Sequence, residues 1–92
     1  MKLTHDYWKH ISQRHPEITK EILWETLSDP DRVVLVPHPK SRTGQQYSVI
    51  GWSDNLEHLV IVIADISSNL IKTAYPVSNK SLVNQYNNPG GV

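Results

Sequence analysis

Cysteine and phenylalanine are both absent from the 92 residues. Without cysteine there is no disulfide framework, and no thiolate to serve as nucleophile or metal ligand. Without phenylalanine, the three Trp and four Tyr must supply the large pieces of any core. No apolar run approaches the roughly 18 residues of a membrane span. The opening "MKLTHDYWKH" lacks the apolar region of a secretory signal, so the expected location is the cytoplasm. Acids are missing from the whole stretch after Asp65.

What remains is 38% hydrophobic and 20% charged, enough apolar surface to offset the ordering entropy of one small domain and too little chain for a second. The net charge of zero hides a gradient. Residues 1–31 hold six acids against four Lys/Arg, and residues 32–92 hold three against five. The second half is mildly basic, which allows contact with a phosphate backbone but falls short of a protein built to coat nucleic acid.

The periodicity predicts two helices and then four strands. Thr4 or Asp6 can cap a first helix that ends before Pro16, with Tyr7, Trp8, Ile11 and His15 on one side and His5, Lys9 and Gln13 opposite. Thr19 is the expected cap of a second helix running to Leu27, with Ile18 and Leu23 as its hydrophobic staple. "RVVLVP" (32–37), "QYSVIGW" (46–52), "HLVIVIAD" (58–65) and "NLIKTAYPV" (69–77) read as strands joined by short turns, hence an antiparallel meander. The third, apolar on both faces, is the expected central strand. The fold class is α+β, with two N-terminal helices on one face of a four-stranded antiparallel sheet and the other face partly free. One domain is expected over residues 1–80, with residues 81–92 a flexible tail.

The histidines at 5, 10 and 15 are five apart, so each turns about 140° from the last and the three diverge around a helix. A zinc site there is not expected, since helical ligands must recur at three or four residues to converge. His10 and Arg14, four apart, share a flank beside the apolar stripe, where they form either a proton-moving and phosphate-binding pair or a solvated helix edge. His15 turns with Trp8 toward the apolar side. Glu17 could orient a histidine or cap the next helix. His38, Lys40 and Arg42 gather in the acid-free loop "PHPKSRTGQQY". In "KTAYPV", alternation places Thr73 and Tyr75 on one sheet face with Ile71 and Val77.

The helix motif "H…RHPEI", the "DPDRVV" turn and the closing "TAY" together resemble the small phage and bacterial proteins grouped as barnase/EndoU/colicin/RelE-like nucleases, over roughly residues 3–80. The resemblance implies a metal-independent ribonuclease, of a group in which toxins of toxin–antitoxin pairs are common, that cuts RNA by attack of a 2′-hydroxyl on the adjacent phosphate. It implies catalytic positions at His10, Arg14, His15 and Thr73, and RNA contacts at Lys40, Arg42, Tyr47, Lys72 and Tyr75, with no cofactor or metal. RNA and an antitoxin protein are the implied partners, and a membrane is not. Arg42 stands ahead of the second strand, where the family carries a basic residue within it. The alternative is a non-catalytic protein- or nucleic-acid-binding module of the same fold.

Overall fold

The computed structural model describes residues 1–88 of the chain. Helix α1 (His5–Arg14) starts where the Thr4 hydroxyl accepts the Tyr7 N–H, and it ends as the His15 N–H donates to Ile11 before Pro16, which has no N–H to continue the ladder. Helix α2 (Lys20–Ser28) is capped in the same way by Thr19, which accepts from the Ile22 N–H at 3.2 Å. Ile18 and Leu23, flanking that cap, are both buried.

Strands β1 (Val33–Leu35), β2 (Gln46–Ser53), β3 (His58–Asp65) and β4 (Ile71–Pro76) form one antiparallel sheet in the order β1-β2-β3-β4. The meander and the central placement of the apolar strand follow the sequence expectation. Val60, Val62, Ile71 and Ala74 point to α1 and α2, where they meet Ile11, Ile18, Ile22 and Leu23. Helix α2 lies so close to β2 that only glycine fits at position 51, where a Cβ would stand 2.2 Å from the Thr26 carbonyl oxygen.

The sheet's other face is covered, contrary to expectation. Helix α3 (Lys80–Asn87) packs there, with Leu82, Val83 and Tyr86 against Ile50, Leu59, Ile61 and Ile63. Residues 81–87, expected as part of a flexible tail, are therefore helical, because Asn79 caps the helix and Leu82, Val83 and Tyr86 form an apolar stripe at helical spacing. Residues 89–92, the rest of that expected tail, lie outside the described residues.

Asp29 fastens α3 to the end of α2. Its carboxylate accepts from the Trp52 N–H at 2.8 Å, the Asp31 N–H at 2.8 Å and the Tyr86 hydroxyl at 2.6 Å. Burial raises the Asp29 pKa, but the hydrogen bonds from Tyr86, Trp52 and Asp31 and the charge of Arg32 together outweigh it and hold the carboxyl below its ordinary value. This contribution to stability is present above the unfolded pKa of about 3.9 and is lost as pH falls through the folded one. Tyr86 is pushed up to about 12 by burial and by its bond to Asp29. Its contribution is complete below the unfolded pKa of about 10 and disappears as pH rises through the folded value. Tyr86→Phe should cost about 1 kcal/mol at neutral pH. It should also remove part of the alkaline loss of stability, a difference that denaturant unfolding at neutral and alkaline pH will measure.

One sheet irregularity changes the predicted faces. Ile63 pairs with Thr73 and Ala64 with Ile71, so Lys72 is an extra residue in β4. Ile71 therefore joins the α1/α2 side, whereas Thr73, Tyr75 and Val77 belong to the α3 side. The expected sharing of a face by Ile71 and Thr73 fails because the bulge breaks the period of two.

Candidate functional site

The bulge aims Lys72 at α1. Its ammonium donates to the Tyr7 hydroxyl, lies 4.2 Å from the centre of the Tyr7 ring and pairs with Asp65 at 3.1 Å. The bond to Tyr7 first, and then Asp65, raise the Lys72 pKa, so it carries its charge throughout the neutral range. Lys72, Tyr7 and His10 line an open cleft of about 510 Å³ together with Thr4 and Asp6. His10, read from sequence as a partner of Arg14, thus sits beside Lys72. Arg14 is exposed and has no ion-pair partner among the described residues.

His15 has a built setting. It is the residue that leaves α1, where a Pro-bearing turn brings Glu17 back toward it. Nδ1 of His15 lies 3.3 Å from Glu17 Oε1, and its ring packs on that of Tyr75 with centroids 5.7 Å apart. A carboxylate beside Nδ1 favours a proton on that nitrogen, which leaves Nε2 as the one to accept a proton. Burial raises the Tyr75 phenol, which stays protonated at neutral pH. Thr73, half-buried, points to the same sheet face two residues away. Thr19, not Glu17, caps the next helix, and Glu17 lies beside the His15 ring.

The basic loop stands elsewhere. His38 folds back onto β2, with its N–H on the Gln46 carbonyl at 2.7 Å and its ring on Ser48, while Lys40 and Arg42 are exposed. Ser48, Ile63 and Thr73 lie in one register row across β2, β3 and β4. With strands about 4.8 Å apart, the loop and Thr73 flank one sheet face about 10 Å apart. Tyr47 spends its hydroxyl on Asn69, joining β2 to the β3–β4 turn.

The nine sequence candidates therefore form three groups: His10 with Lys72 on one cleft, His15 with Tyr75 and, on the same sheet face as Tyr75, Thr73, and Lys40 with Arg42 in one loop, while Arg14 and Tyr47 stand apart. Sequence reasoning had no signal for Tyr7 and Asp65 as partners of Lys72, since their meeting depends on the bulge. No three His, Asp or Glu side chains converge among the described residues. No helix among them is long and apolar enough to cross a membrane. The chain matches no protein-family model, no curated protein and no solved structure.

Proposed function

We propose that the chain is a small metal-independent endoribonuclease with its reacting centre at the β4 edge, where His15 and Glu17 lie beside Tyr75 and Thr73 shares the sheet face of Tyr75. The carrying observation is the His15 imidazole, held on one nitrogen by Glu17 and packed on Tyr75. His15 Nε2 takes the proton of a ribose 2′-hydroxyl as that oxygen attacks phosphorus. The bond from phosphorus to the 5′-oxygen breaks, the Tyr75 phenol protonates the leaving oxygen, and a 2′,3′-cyclic phosphate remains. Net proton transfer from His15 to Tyr75 through water restores both groups. Thr73 donates to a phosphate oxygen, Arg14 offsets the charge developing there, and His10 with Lys72 binds a neighbouring phosphate.

Full-length protein incubated with single-stranded RNA in a chelator should produce fragments ending in cyclic or 3′-phosphate. A deoxy substrate, which has no attacking hydroxyl, should remain intact. Equal cleavage of the deoxy strand would sink the mechanism. The same reading makes the protein harmful to a cell that produces it unchecked, which is the ground for a neutralising protein partner.

One observation favours the non-catalytic alternative: the cations are dispersed, with Lys72 paired to Asp65 and Lys40 and Arg42 across the sheet from His15. RNA bound in a salt-dependent manner and recovered uncut after long incubation would decide for that module.

A further inference from the structure

A second polar site lies between the residue 38–40 loop and the first turn of α3, and nothing in the proposed cleavage uses it. Ser48 is fully buried and His38 is only 4% exposed, yet both are polar. The Ser48 hydroxyl stands 3.1 Å from His38 Nδ1, and no other acceptor lies within its reach among the described residues. A buried hydroxyl must place its proton on an acceptor, so Ser48 donates to Nδ1. The ring proton is then on Nε2.

Nε2–H has no acceptor among the described residues. No fully buried side-chain nitrogen or oxygen there lacks a partner. Nε2 must therefore reach solvent, and the ring lines a pocket of about 150 Å³ with Lys40, Asn79, Ser81 and Gln85. The lining contains several donors and no acid. The α3 amides are not the source of this character, since the Asn79 side chain already accepts from the Ser81 and Leu82 N–H groups. Burial, with the nearby Lys40 charge, holds the His38 pKa below its usual value, so the ring stays a neutral donor.

We propose that this pocket binds a phosphate group, with His38 Nε2–H and the Lys40 ammonium as its principal donors and the Ser81 hydroxyl as a third. A pocket of about 150 Å³ has room for a phosphate group. A fixed N–H donor and a mobile cation on one side of an acid-free pocket suit an anion with several acceptor oxygens. The inference does not depend on RNA cleavage. The phosphate can be free or part of a nucleotide chain, and the two sources share this chemistry.

The test is an NMR titration of the full chain, following the histidine ring nitrogens with inorganic phosphate in one arm and a 5′-phosphorylated RNA oligonucleotide in the other. Sodium chloride at matched ionic strength is the control. A saturable shift of the His38 ring is expected, and Lys40→Ala should weaken it about tenfold. Ser81→Ala should weaken it less. Both substitutions are at exposed positions, so they leave the fold intact. Response to inorganic phosphate marks a free-anion site, and response to the oligonucleotide alone marks a chain-phosphate site; either supports the proposal. A His38 ring that moves in neither arm, or equally in chloride, overturns it and leaves water as the partner of Nε2. Loss of RNA cleavage with the His38 response retained would discard the nuclease reading alone.

Discussion

Gly51→Ala should lower stability by about 3 kcal/mol, with a fall in melting temperature on the order of 15 °C. The added methyl would stand 2.2 Å from the Thr26 carbonyl oxygen, 3.0 Å from its carbon and 3.2 Å from its Cα. All three are backbone atoms of the last turn of α2, so no side chain can rotate away. Either α2 lifts from β2, opening the packing of Ile22 and Leu23, or the strand bends out of its pairing with Val60. Gly44→Ala is the control. It has nothing within 4 Å, and its positive φ of 71° should cost only about 1 kcal/mol. Thermal and denaturant unfolding of the two variants measure the contrast. Equal stability would mean that α2 does not sit on β2 as described.

His15→Ala should reduce RNA cleavage by about 10²- to 10⁴-fold, the usual contribution of a positioned acid–base group. Glu17→Gln keeps the size of the side chain and removes the charge that orients the ring, so about a tenfold loss in turnover is expected. The two variants should differ in pH dependence. The imidazole limb of the rate profile should vanish in His15→Ala and persist in Glu17→Gln. His15 is half-buried and lies outside the main core, so His15→Ala should unfold near the wild-type temperature. Cleavage that survives in His15→Ala with its pH profile unchanged would remove the assigned centre, and His10 beside Lys72 would then be the imidazole to test.

Much of the fold was legible because its signals are local. Thr4 and Thr19 are caps by chemistry, Pro16 ends a helix by lacking an N–H, and "HLVIVIAD" is apolar on both faces because helices cover both. The last helix was hidden by composition. Four Asn and a Ser stand in "NKSLVNQYNN", and their weak propensity outweighs three apolar residues until a sheet is present to receive them.

The candidate site was legible only in part. The turn "RHPE" places His15 and Glu17 two apart, but whether the carboxylate swings to the ring or to the next helix depends on the space beside Tyr75. Ile71 faced the wrong way in a reading by alternation, since the extra residue Lys72 interrupts the pattern and puts Ile71 on the same side as Ala74. His38 looked like one more charge in a basic loop. The loop's return onto Gln46 and Ser48 makes it a buried neutral donor.

The sequence by itself determined the two capped N-terminal helices, the antiparallel meander and the residue types available for phosphate chemistry, because each depends on neighbours a few positions away. Tertiary structure alone decided that α3 closes the second face, that the bulge turns Lys72 toward Tyr7 and Asp65, and that His15 and His38 each have one ring nitrogen held and the other open. These outcomes depend above all on contacts between residues distant in sequence, Tyr86 with Asp29, Lys72 with Tyr7, His15 with Tyr75 and His38 with Ser48, whose free energies appear only once the sheet has formed and water has left its faces.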